Sequence, residues 1–138
     1  MSKELTNDLI TLIFNTSQIL KEKARANNKA KDCSFLHIHT LHYIKGHEGT
    51  AMRDVADYLH IAPPSATSLI NSLVKKDLVK RIIDIVDRRT VKLRITPSGA
   101  ELLKDSFKKM SVIIEKGINK LSEKEKENFI IILNKIAQ

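Results

Sequence analysis

Residues 50–99 read TAMRDVADYLHIAPPSATSLINSLVKKDLVKRIIDIVDRRTVKLRITPSG. A short amphipathic run with Val55, Ala56 and Leu59 on one side, expected to be helical over about 51–59, stops before Pro63 and Pro64. Proline at 64 pushes the residue before it toward extended backbone, yet itself suits a first helical turn, so a second helix is expected from about 64 to 76. Val79 to Ile83 and Thr90 to Ile95 then read as two short strands, with Ile85, Val86, Asp87 and Arg88 near the hairpin tip. Thr96, Pro97, Ser98 and Gly99 form a turn and helix-start signal. The order is helix, turn, helix, hairpin.

On a wheel of 3.6 residues per turn, Ala66, Leu69, Ile70 and Leu73 fall together and are expected to face a core. The opposite side carries Pro64, Ser68, Asn71 and Lys75, flanked by Ser65, Thr67 and Ser72. Small hydrogen-bonding side chains with one cation suit close approach to a DNA major groove, where Asn can pair with adenine and Ser or Thr can meet bases or phosphates. Pro64 and Ser65 sit at the helix start, where free N–H groups and the macrodipole favour a phosphate. An ordinary solvated helix can carry the same face. The basic hairpin tips the balance, because Arg88 and Arg89 at its turn are placed to enter a minor groove. Asp87 is expected to orient an arginine there, since a bare carboxylate is repelled by phosphate.

Charge concentrates in the same place. Residues 75–94 hold eight basic side chains against Asp77, Asp84 and Asp87, so five of the chain's eight net positive charges lie in this segment. A sequence pI near 9.6 favours polyanionic partners. No apolar run reaches the roughly 20 residues a spanning helix needs, which disfavours a membrane. Absence of Trp and only 4% aromatic residues disfavour a stacking platform for single strands, leaving double-stranded DNA. The N-terminus lacks an apolar signal core, and one cysteine, Cys33, excludes an internal disulfide framework; both suit the cytoplasm.

Outside this stretch the pattern is helical. Leu5, Leu9, Leu12, Ile13, Ile19 and Leu20 recur at three- and four-residue steps over about 4–27, followed by a polar loop up to Ser34. Ser34 is a candidate cap for a helix over 35–46 with Phe35, Ile38, Leu41 and Ile44 inward; Thr50 is a candidate cap for the next. Leu102, Leu103, Phe107, Met110, Ile113 and Ile114 mark one late helix. Phe129, Ile130, Leu133 and Ile136 mark another, opened by a capping box from Ser122 to Glu125. A chain of 138 residues with a separate central module has little against which to bury these terminal stripes, so a homodimer is expected.

The segment resembles the winged helix-turn-helix regulators of the MarR (multiple antibiotic resistance regulator) family. The resemblance is carried by Val55, Ala56 and Leu59, then Ser65 to Leu69 with Leu73, then Lys76 to Val79, Asp87 to Arg89, Leu93, and Thr96 to Gly99. It implies a mainly α chain with a small β-hairpin wing, an α+β fold: a module over 35–99 flanked by helical dimerisation regions at 1–30 and 100–138. It further implies a homodimer on a palindromic operator, usually a repressor released by a small ligand such as an aromatic acid. The family commonly has arginine where this chain has Ser68 and glycine where it has Asp77.

Other readings compete. Cys33, His37, His39 and His42 invite a metal, but on a helix His37 and His39 diverge by about 200°, so no metal or other cofactor is expected. Cys33 as a redox sensor would make the chain an oxidant-responsive regulator. The apolar wing residues Ile83, Ile85 and Val86 would suit a winged-helix module that binds protein. A Gly-rich phosphate loop, a Gly-x-Ser-x-Gly elbow and an HExxH pair are all missing from the sequence, so an enzyme is not expected.

Overall fold

The computed structural model describes residues 2–27, 33–87 and 89–138. The elements in order are α1 (Ser2–Asn27), α2 (Phe35–Gly46), β1 (Thr50–Ala51), α3 (Met52–Leu59), α4 (Pro63–Lys75), β2 (Val79–Ile83), β3 (Val91–Ile95), α5 (Pro97–Ile118) and α6 (Glu123–Ala137). The fold is mainly helical with one small antiparallel sheet in the order β1-β3-β2. Residues 28–32 of the polar stretch expected to close the first helix, and Arg88, lie outside the described residues. No helix among the described residues is long and apolar enough to cross a membrane.

Contacts divide the chain into two units, Ala30–Phe107 and a second made of Met1–Lys29 with Lys108–Gln138. The first unit owns the hydrophobic core. Leu41 and Ile44 from α2, Val55 from α3, Ile70 and Leu73 from α4, Leu78 and Val79, Leu93 from β3, and Leu102 and Leu103 from α5 pack together. Truncating any of the fully buried members to alanine removes transfer energy and leaves a hole, a loss of about 2–5 kcal/mol. In the second unit no described residue of α1 or α6 is buried, although both helices are amphipathic.

Local signals explain most boundaries. Ser34 caps α2, its Oγ accepting from the His37 N–H at 3.3 Å, and Ser122 caps α6 with Glu125 Oε2 accepting the Ser122 N–H at 2.7 Å in return. Two expectations change. Thr50 is not a helix cap but a strand residue opposite Leu93, buried in the sheet; Ala51 stands at the cap position of α3, its N–H donating to Asp54 Oδ2 at 3.2 Å. Phe35 is 52% exposed rather than inward, its ring stacked on His39 at 6.4 Å between centroids. Phe107 is 72% exposed, at the point where α5 passes out of the first unit's core.

The turn from α4 into the sheet is locked at α5. Thr96 Oγ1 donates to the Asp77 carbonyl at 2.6 Å and accepts the Gly99 N–H at 3.0 Å, tying the start of α5 to the end of α4. Gly99 is required here because a Cβ would collide with the Leu78 carbonyl oxygen and press on Ile95.

Candidate nucleic-acid interface

α3 and α4 are set at an angle by a tight corner. His60 ends α3 in the left-handed region at φ 53, and the Ile61 N–H returns to the Ala56 carbonyl at 3.1 Å. Ala62 is extended, and Pro63 begins α4 with the φ that proline already prefers. α4 then buries Ala66, Leu69, Ile70 and Leu73, the four positions its spacing selects. That burial leaves Pro64, Ser65, Thr67, Ser68, Asn71 and Lys75 exposed on the outer side.

Ser72 is placed differently. It is half-buried, and its Oγ lies 3.3 Å from His37 Nε2. The Ser34 N–H donates to His37 Nδ1 at 3.0 Å, so that nitrogen is the acceptor and the ring proton sits on Nε2, facing Ser72. His37 thus bridges the cap of α2 to the inner flank of α4, and Ser72 faces this bridge rather than the groove side. Burial, with the nearby Lys76 cation second, lowers the His37 pKa below the ordinary imidazole value.

The helix start also works differently from the expectation. The sequence places free N–H groups for a phosphate at Pro64 and Ser65. Pro63 and Pro64 carry no N–H, and the Ser65 N–H donates to the Ala62 carbonyl at 3.0 Å. What Ser65 can offer an anion is its hydroxyl, together with the positive end of the macrodipole. Thr67 Oγ1 donates back to the Pro63 carbonyl at 3.1 Å, which leaves its oxygen as an acceptor on the exposed side.

The wing is braced by two aspartates. Asp84 Oδ1 accepts the Val86 N–H at 3.0 Å and Asp84 Oδ2 pairs with Lys92 Nζ at 3.3 Å. The Val86 N–H first, and Lys92 after it, hold the Asp84 carboxyl below its ordinary pKa. Asp87 Oδ1 accepts the Arg89 N–H at 3.1 Å and Asp87 Oδ2 accepts from Thr90 Oγ1 at 2.9 Å. Asp87 therefore fixes the backbone at Arg89, where the sequence suggested a grip on a guanidinium. Arg89 is exposed at the turn, and Ile85 and Val86 are 93% and 95% exposed beside it.

One side chain of this surface has no place among the residues singled out from the sequence. Arg81, exposed on β2, donates from Nη2 to Asn71 Oδ1 on the outer face of α4. Alternation along β2 puts Arg81 on the same face as buried Val79 and its cross-strand partner Leu93, but its meeting with a residue ten positions earlier depends on how the helix lies against the sheet.

A helix-turn-helix whose second helix shows a polar outer face, followed at once by a basic antiparallel hairpin, is a winged helix-turn-helix, a class of DNA-binding module. Comparison with known proteins agrees. The sequence model of the MarR family matches residues 32–90. The HTH-type transcriptional regulator MhqR of Bacillus subtilis (strain 168) is 31% identical over 95 residues, 69% of this chain and 64% of that protein. A variant of S. aureus MepR superposes with a TM-score of 0.80 at 27% identity, covering 92% of this chain and 94% of that one. Streptococcus pneumoniae FabT, solved in complex with DNA, superposes with a TM-score of 0.79 at 25% identity over 98% of this chain and 94% of that one. The chain belongs to the MarR family and is a DNA-binding transcriptional regulator.

Proposed function

We propose that this regulator acts as a homodimer on a palindromic operator in the cytoplasm, as a repressor that a small ligand releases. The observation that carries the reading is the outer face of α4, where Ser68, Asn71 and Lys75 are exposed together, followed in the chain by a wing whose turn exposes Arg89. Ser65 and Thr67 flank that face, and Arg88 adjoins Arg89 in sequence. Base contacts are assigned to the helix and backbone contacts to the basic wing. That FabT was solved with DNA supports the same role for this fold.

Dimer formation is supported by the apolar side chains of α1 and α6. Leu9, Ile13, Ile130 and Ile136 are among many left exposed on these helices in the single chain. At roughly 25 cal/mol per Å² such surface is costly to leave wet, and a second copy of the same stripes covers it. A two-fold pair would set its reading helices about 34 Å apart, one turn of duplex.

For the effector, a cleft of about 470 Å³ lies among Cys33, Lys76, Leu78, Ser98, Glu101, Leu102 and Asp105. Its volume suits a small aromatic molecule. Among the described residues its charged lining is Lys76, Glu101 and Asp105, which can meet either an aromatic acid, as the family resemblance implies, or an aromatic cation.

Selection of bound sequences from random duplex tests the reading. The expected product is an inverted repeat with half-sites one helical turn apart. Aromatic acids and aromatic cations, added in turn to the selected complex, then separate the two classes of effector. Enrichment of no sequence, or of an unpaired single site, would contradict the dimeric operator.

A further inference from the structure

The contact between Arg81 and Asn71 has a direct consequence for base reading. A guanidinium carries N–H donors and no acceptor, so the amide atom it meets is the oxygen. Chemistry therefore fixes the orientation of the Asn71 side chain, with Oδ1 toward Arg81 and the two-proton Nδ2 as the other end of the amide. An unrestrained asparagine reads adenine with a pair of bonds, Oδ1 accepting from N6–H and Nδ2 donating to N7. Arg81 takes one of the two lone pairs of Oδ1 and sets its positive charge beside the oxygen, which disfavours a second donor such as adenine N6–H there. The two-proton donor half remains: guanine offers it two acceptors, N7 and O6, and thymine offers O4, whereas adenine offers N7 alone beside its own N6–H donor.

Position supports a role in recognition over one in stability. Both side chains are exposed, so their contact contributes little to the core. Yet it sits on the side of α4 that carries Ser68 and Lys75, and it joins that helix to the first strand of the wing. We propose that Arg81 is a positioning residue that sets the base preference of Asn71, turning an adenine-reading amide into a donor that selects guanine or thymine. The proposal rests on the reading of the outer face of α4 as the base-facing surface.

The test is sequence selection from random duplex with four proteins: the unaltered chain, Arg81→Met, Asn71→Ala and the double variant. Thermal melting of each confirms the fold, and salt-dependent binding to an unselected duplex controls for DNA binding itself. The position whose preference disappears in Asn71→Ala is the one Asn71 reads. At that position the unaltered chain is expected to select guanine or thymine. Arg81→Met is expected to move the choice toward adenine by about fivefold or more, and the shift should vanish in the double variant. An unchanged base at that position in folded Arg81→Met overturns the proposal, as does a shift that persists without Asn71. Salt-dependent binding with no base preference at any position overturns it too, and loss of all salt-dependent duplex binding in the unaltered chain overturns the reading of α4 as well.

Discussion

Asp77 takes the backbone through the left-handed region at φ 59, one residue past the Lys76 cap of α4. A side chain with a Cβ costs roughly 1 kcal/mol there, less for aspartate than for most residues, and glycine none. Its carbonyl cannot move freely, because Thr96 Oγ1 holds it. Asp77→Gly is therefore expected to raise stability by about 0.5–1 kcal/mol, and Asp77→Ala to lower it by a similar amount. Urea unfolding midpoints at constant slope measure both; a destabilised glycine variant would show that the aspartate side chain supports the turn. This residue illustrates what could be read early. The glycine that the family resemblance gives at 77 fits the left-handed position the structure shows there, whereas the partnership of Arg81 with Asn71 has no sequence signal, since it joins two elements across a packing interface.

Elements whose burial comes from one hydrophobic face were legible because the spacing alone names the buried side. α4 is the clearest case, with all four wheel-selected residues buried. β1 was missed because two residues cannot show a period, and Thr50 resembles a cap as readily as a strand. Ser72 was assigned outward because a wheel gives direction but not neighbours, and α2 happens to bring His37 against it. That link between α2 and α4 is pH-sensitive. The neutral ring is the form that accepts from the Ser34 N–H, and a proton on Nδ1 would oppose that donor. Because the folded pKa lies below the ordinary value of 6.5, the unfolded chain takes up the proton more readily. Stability from this group is thus complete above that value and declines as pH falls through it toward the lower folded value. His37→Gln should flatten this component when unfolding midpoints are compared between pH ~7.5 and ~5.5. A variant with the same acid slope as the unaltered chain would place the sensitivity elsewhere.

For the whole molecule, the first unit has a closed core while α1 and α6 contain no buried described residue. A second copy of the chain, as proposed, would cover the apolar stripes that α1 and α6 leave exposed, Leu9, Ile13, Ile130 and Ile136 among them. Charge is uneven too, with residues 75–94 carrying most of the net positive excess. Such a segment should provide affinity through counterion release, while the modest polar face of α4 provides discrimination. The central claim is that this basic wing and helix end grip duplex DNA. Equilibrium binding to a duplex across a range of salt concentrations tests it most directly. The logarithm of the binding constant should fall steeply and linearly with the logarithm of salt, and Arg89→Ala should reduce the slope by about one. A flat salt response, or unchanged affinity after Lys75, Arg88 and Arg89 are all neutralised, would contradict it.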